Sequence, residues 1–268
     1  MATLFSNSGT SYTTFISDLA SFLVANGWTN DLVTSSRIHT HKGGWHFELF
    51  YSTVYFYVIG CTSYDSGQGS TTQPGTGPNT GAAANILGST GGYYRFVSTP
   101  TTITIFTVNA NYVATSRTIS FGYGITPIGG WTGGGFYSAG NGVNGYPPVY
   151  TVNSYASFSM YVNGAWTPLA LAGGANGLLG TSSTLYQKMP FIYNGGLLPI
   201  PITLFKRDVS VTSNFHPLGV APDIRSISGG SIYLDLDTLT YNGQTWTCLN
   251  SLVPYAVGPC DFLMRLGS

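Results

Sequence analysis

Apolar residues recur at helical spacing in residues 12–26, where Phe15, Ile16, Leu19, Phe22 and Leu23 fall on one face. Ser11, Thr13 or Thr14 is placed to cap the start of this segment. Gly27 supplies the left-handed residue that ends a helix, and Trp28 can fold back onto Phe22 or Leu23 as in a Schellman motif. One amphipathic N-terminal helix, packed on something flat, is the prediction.

Beyond residue 28 the period drops to two. Trp45, Phe47, Leu49 and Tyr51 alternate with His46, Glu48 and Phe50, which predicts a strand with one buried face. In VYFYVIG, residues 54–60, the alternation vanishes, and continuous apolarity predicts a strand covered on both sides. Further strands are predicted at 93–97 and 101–108 around a turn at Pro100, and at 117–124, where Gly122 and Gly124 mark a bulge or a close backbone approach. Segments 157–162 and 165–169 flank Asn163-Gly164, and segments 231–241 and 244–249 flank Asn242-Gly243. Each Asn-Gly pair reads as a type I′ hairpin turn. Ile232, Leu234 and Leu236 alternate with Tyr233, Asp235 and Asp237, and an apolar segment at 261–266 closes the chain.

These elements predict a mainly β protein, an antiparallel sandwich or barrel-like arrangement with one N-terminal amphipathic α-helix. Residues 1–64 hold the helix and a β-hairpin, and residues 93–268 hold an antiparallel region ending in a hairpin. Both are expected to belong to one compact unit. Between them, residues 65–92 form a Gly/Ser/Thr/Pro stretch too poor in apolar area to order itself. It is expected to be a surface loop, or an arm that orders against a neighbouring subunit.

Only 7% of the 268 residues are charged, against about 25% in an average soluble domain. Ser, Thr, Asn and Gly must therefore keep the surface wet. Nine basic and nine acidic residues cancel, which leaves no long-range field to attract nucleic acid or an anionic membrane. The 19 Tyr and 15 Phe argue against a disordered chain. The longest strongly apolar run, residues 54–59, is far short of the roughly 20 needed for a spanning helix, and the strands are too irregular for a membrane barrel. The Met1-Ala2-Thr3-Leu4 start lacks a basic region followed by an apolar stretch, so no secretory signal is expected and synthesis in the cytosol is. Cys61, Cys248 and Cys260 are odd in number and read as buried small hydrophobes, the alternative being a Cys248–Cys260 or intermolecular bridge.

Candidate chemistry is thin. Asp235 and Asp237 lie on one strand face about 7 Å apart, compatible with metal binding or a glycosidase pair, but also with a solvated hairpin face. His39, His41 and His46 form the other cluster. With Lys42-Gly43-Gly44 as a turn, His41 and His46 face each other across a hairpin, but no nearby Cys or carboxylate other than Glu48 completes a ligand set. They read as surface or interface histidines. Gly133-Gly134-Gly135 and the glycines at 173–177 match no phosphate-binding pattern and read as loops, and no G-x-S-x-G elbow occurs. No enzymatic activity, cofactor or metal is expected.

What remains is a neutral aromatic surface. The five tryptophans are expected in the core one by one, whereas Tyr137, Tyr146, Tyr150 and Tyr155 look exposed. Interfaces enrich aromatics and deplete Lys, Glu and Asp, which makes Trp131, Phe136, Tyr137, Tyr146 and Tyr150 the candidate interface residues.

FGYGITPIGGWTGGGFYSAG at 121–140, taken with PLGVAPDIRS at 217–226 and YNGQTWTCL at 241–249, resembles a family of tailed-bacteriophage virion proteins of the tail, neck (collar) or baseplate. The long 65–92 insertion departs from that pattern. The resemblance implies a repeated structural subunit of the virion whose partners are its own copies and neighbouring phage structural proteins. Two rivals stand beside it. One is a receptor- or glycan-binding tail-tip protein, with Trp131, Tyr137 and Tyr146 as a sugar platform. The other is a hydrolase of the host envelope using Asp235 and Asp237.

Overall fold

Helix α1 (Tyr12–Ala25) buries Phe15, Ile16, Leu19, Phe22 and Leu23, the face predicted from their spacing, together with Ala20. A helix of this length is marginal alone. Each large apolar side chain withdrawn from water contributes about 1.5–3 kcal/mol, so packing rather than propensity holds it. Its start has no side-chain cap: the Ser11 carbonyl accepts the first intrahelical bond, from Phe15 N–H at 3.0 Å, and the Ser11 hydroxyl makes no capping bond. Its end is a Schellman motif, with Gly27 at φ 76°, Gly27 N–H bonded to the Val24 carbonyl and Trp28 N–H to the Leu23 carbonyl, each at 3.0 Å. The computed structural model describes residues 4–7, 11–52, 55–78, 80–83, 93–109, 112–142, 156–169, 192–193, 196–197, 200–207, 215–226, 237–249 and 262–265.

The strands are antiparallel throughout, as predicted. A five-stranded sheet follows the helix in simple chain order: β2 (Thr29–Val33), β3 (Arg37–Lys42), β4 (Trp45–Ser52), β5 (Tyr55–Cys61) and β6 (Thr80–Ala83). A seven-stranded sheet runs β1 (Leu4–Asn7), β7 (Tyr93–Ser98), β8 (Thr102–Asn109), β9 (Tyr112–Gly122), β11 (Gly133–Gly142), β12 (Ala156–Val162) and β13 (Ala165–Leu169). A third sheet is built from β10 (Thr126–Pro127), β16 (Ile200–Arg207), β17 (Phe215–Ser226), β18 (Thr238–Tyr241), β19 (Gln244–Leu249) and β20 (Phe262–Met264), and β14 (Ile192–Tyr193) pairs with β15 (Gly196–Leu197).

The first two sheets face each other as a sandwich. Phe47 of β4 lies 5.1 Å, ring to ring, from Phe121 of β9 and 6.0 Å from Trp166 of β13. At one end α1 fills the space between the sheets, with Phe15 about equally close to Phe56 of β5 (5.1 Å), Tyr94 (5.1 Å) and Phe96 (5.5 Å) of β7. The Trp28 ring meets Phe47 and Phe121, in the same buried cluster as Phe22 and Leu23. Trp28, Trp166 and Trp246 are core residues, as predicted for tryptophan, and Trp45 packs against that core from its rim.

Two segments depart from the sequence reading. The glycine run Gly133-Gly134-Gly135 is the start of strand β11, not a loop. A Cβ on Gly133 would lie 2.0 Å from the Tyr161 carbonyl oxygen, and one on Gly135 would lie 2.3 Å from the Trp45 ring. The pairing of β11 with β12 shifts between Gly133 and Phe136, a β-bulge that glycine accommodates. The low-complexity stretch is also more ordered than its composition predicts. Residues 62–78 fold over the five-stranded sheet and residues 80–83 form β6, whereas residues 84–92 lie outside the described residues.

Hydrogen bonding does what apolar area cannot in 62–78. The buried Gln73 side chain accepts from Asp65 N–H at 2.8 Å and donates to the Asp65 and Gln68 carbonyls at 3.0 and 3.1 Å. Gly77 N–H reaches the Gly60 carbonyl at 2.9 Å, and the Tyr137 hydroxyl donates to the Pro78 carbonyl at 2.6 Å.

Both Asn-Gly turns are as predicted, with Asn163 and Asn242 at φ 51° and Gly164 and Gly243 at 88° and 70°. The third sheet is tied to the sandwich through buried Asp223 of β17. It accepts from Arg265 Nε at 2.9 Å and from the Thr101 hydroxyl at 2.7 Å, in the turn between β7 and β8.

Candidate functional site: a histidine–carboxylate cluster on the outer face of the five-stranded sheet

Register decides which polar side chains meet. Strand β3 pairs with β4 so that His39 faces Glu48 and His41 faces His46, with Gly43 and Gly44 at φ 58° and 81° in the turn between them. Alternation then puts Arg37, His39 and His41 on the face of the sheet opposite the core, beside Glu48 and His46. This is the hairpin pairing of His41 with His46 raised by the sequence.

Strand β2 adds the residue that sequence reasoning missed. Its pairing with β3 shifts between Asn30 and Leu32, leaving Asp31 as the extra residue of a bulge. A bulge re-aims side chains, and here the Asp31 carboxylate reaches His41 Nδ1 at 2.7 Å. It also lies 3.8 Å from His39 Nε2. The ligand atoms of Asp31, His41 and His46 all fall within 4.8 Å of one another. The available signal was position: Asp31 is the only carboxylate between the helix and the His-x-His strand.

Behind this trio runs a buried polar chain. Arg37 Nε donates to one Glu48 oxygen, and the other lies 2.7 Å from His39 Nδ1. His39 Nε2 lies 3.2 Å from His46 Nδ1. His39 and Glu48 are fully buried, which corrects the reading of His39 as a surface or interface residue, whereas His41 and His46 stay partly exposed. The covering element is the 62–78 segment: the Tyr64 ring sits 4.7 Å from His39, and Arg37 donates to the Gln68 carbonyl at 3.2 Å.

Glu48, its charge balanced by Arg37, accepts a hydrogen bond from His39 Nδ1–H. His39 Nε2 is then an acceptor, His46 donates to it from Nδ1, and the Nε2 lone pair of His46 is left available. Burial lowers the His46 pKa, and His41 and His39 lower it further against an opposing effect of Asp31. A neutral imidazole suits a ligand better than a charged one. Cys61, opposite His46 across β4 and β5, is no nucleophile: burial first, and then Glu48, push its thiol up to about 12.

The residues predicted to form an interface fare differently. Phe136 and Tyr137 are buried at 3% and 0% exposure, because β11 lies inside the sandwich, and Tyr137 packs on Trp166 at 5.0 Å. They are core residues, not interface residues. Trp131 is half-buried, and Tyr146, Tyr150 and Tyr155 lie outside the described residues. Of the acidic pair, Asp237 is exposed, and Asp235 lies outside the described residues, as do Cys260 and the glycines at 173–177. No described helix is long and apolar enough to cross a membrane.

Comparison of the chain with protein-family models and with curated proteins finds no match.

Proposed function

We propose that this chain is a non-enzymatic structural subunit of a tailed-bacteriophage virion, of the tail, neck or baseplate, which works by associating with its own copies and with neighbouring virion proteins. One structural observation carries the associative part. Among the described residues, many of the few charges are paired within the chain: Arg37 with Glu48, Asp31 with His41, Arg265 with Asp223, Asp18 with the Tyr94 hydroxyl, and the Lys42 ammonium with the Asn26 and Pro100 carbonyls. These internal partners reduce the charge that the described residues offer to another molecule, in a sequence with only 7% charged residues. Such a surface suits burial beneath another protein, because interface centres are depleted in charge and near-zero net charge favours association. The word phage rests on the resemblance of residues 121–140 and 217–249.

An antibody against this chain, applied to purified particles and located by electron microscopy, tests the proposal. Discrete, symmetrically placed label at tail, neck or baseplate is expected. Absence of the chain from mature particles refutes it. The glycan-binding alternative loses Tyr137 from its platform, since that side chain is wholly inside the sandwich.

A further inference from the structure

We propose that Asp31, His41 and His46 form a binding site for a single divalent transition-metal ion of the zinc class, held by two imidazoles and one carboxylate. The inference is independent of the virion reading.

Four observations carry it. The donor set is right: imidazole nitrogen with carboxylate oxygen is a common three-ligand set for zinc, with a fourth position left to water. The three ligand atoms already lie within 4.8 Å of one another, and a tetrahedral ion needs about 3.3 Å between ligands at bond lengths near 2.0 Å. Rotation about side-chain torsions covers the difference. The third observation is the bulge in β2, which aims Asp31 at the histidines instead of along the strand edge.

The fourth is the buried chain behind the site. A ligand imidazole is normally oriented by a hydrogen bond from its second ring nitrogen. His46 has that partner in His39, itself held by Glu48 and Arg37, and His39 and Glu48 are fully buried. His39 is thus a positioning residue and not a ligand. The outer side of the site is open, since the Asp31 and His41 side chains are 23% and 30% exposed, so an ion can enter from solvent.

The test uses the full chain without an affinity tag, stripped with a chelator and titrated with Zn²⁺ by calorimetry and with Co²⁺ by visible absorption. One ion per chain is expected, bound more tightly than about 10 μM, with cobalt bands of a low-coordinate nitrogen–oxygen site. Asp31→Asn and His46→Ala are expected to weaken binding more than about 100-fold, and His39→Gln about 10- to 100-fold, with the cobalt spectrum altered. Because His46 is half-buried, His41→Gln serves as the variant least liable to misfold. Zn²⁺ is expected to raise the melting temperature of the wild type but not of His41→Gln. No saturable uptake below about 1 mM, or uptake unchanged in both Asp31→Asn and His41→Gln, overturns the proposal.

Discussion

The indole of Trp166 occupies the space over Gly60 in which a side chain would begin, so that a Cβ there would lie 2.2 Å from the ring. The contact joins β13 of one sheet to β5 of the other. Gly77, whose N–H bonds the Gly60 carbonyl at 2.9 Å, is constrained in the same way: a Cβ there would lie 2.4 Å from the Tyr137 hydroxyl and 2.7 Å from the Trp166 Cβ. Two glycines and one tryptophan thus set the spacing of the sandwich at this end. Gly60→Ala must push the indole or the strand aside and is expected to cost about 3 kcal/mol, at the upper end of overpacking effects. Gly130→Ala, where nothing lies within 4 Å, is expected to cost less than about 0.5 kcal/mol. Urea unfolding of the two variants measures the contrast.

The two Asn-Gly hairpins share backbone geometry but not surroundings. Asn163 accepts from the Thr132 N–H and hydroxyl at 3.0 and 3.1 Å, and its own N–H reaches the Thr132 carbonyl at 2.9 Å. Alanine at either asparagine strains a left-handed residue by about 1 kcal/mol. At 163 it also removes two side-chain hydrogen bonds, worth about 1 kcal/mol each. Asn163→Ala is therefore expected to destabilise more than Asn242→Ala, by about 1–2 kcal/mol in thermal unfolding. Equal losses would mean that Thr132 finds water at no cost.

Asp223 is 1% exposed and holds both Arg265 and Thr101. Removing one member of a buried ion pair costs about 3–5 kcal/mol. The Arg265 side chain is 31% exposed and can recover solvent, which places Asp223→Ala near the lower value. Hydrogen exchange is expected to speed up in residues 215–226 and 262–265 well before the sandwich strands respond. Uniform acceleration over the whole chain would show that Asp223 is not a local tie.

Cys61 titrates only far above neutrality, pushed up to about 12 from 9.0 mainly by burial. Thiolate, the reactive form, is scarce, so iodoacetamide at mildly alkaline pH is expected to leave Cys61 unmodified in the native protein and to modify it in denaturant. Peptide mass spectrometry reads the outcome. The native thiol keeps a proton that the unfolded one loses, so this contribution to stability is whole below pH 9.0 and declines as pH rises toward about 12.

The parts of this fold visible in the sequence are those fixed by neighbours along the chain. Five apolar residues at helical spacing and Gly27 mark α1 and its end, and Asn163-Gly164 and Asn242-Gly243 mark two hairpins. What sequence hides is decided by residues far apart. Phe136 and Tyr137 read as surface because an aromatic strand looks the same whether it faces solvent or a partner sheet. Their burial depends on Trp166 and on β5 and β6. Gly133 and Gly135 read as loop because glycine is common in loops, whereas the Tyr161 carbonyl and the Trp45 ring require its missing side chain. Asp31 joins the histidines through a one-residue register shift that no local pattern announces. The 65–78 segment is poor in apolar residues, and a single buried glutamine amide organises it instead.

Strand β1 finds its place only beside β7, with Leu4 opposite Val97 and Asn7 opposite Tyr94, and Phe15 of α1 waits for the rings of Tyr94 and Phe96. A ribosome making this chain therefore releases β1 and α1 long before the β7 side of their resting place exists. Nearly a hundred residues must emerge before the opening segment can settle, and at about 5–20 residues per second that delay is some 5–20 seconds. Until then the apolar side of the helix has only the five-stranded sheet to lie against, through Phe15 and Phe56, so α1 is the stretch most in need of a chaperone during synthesis.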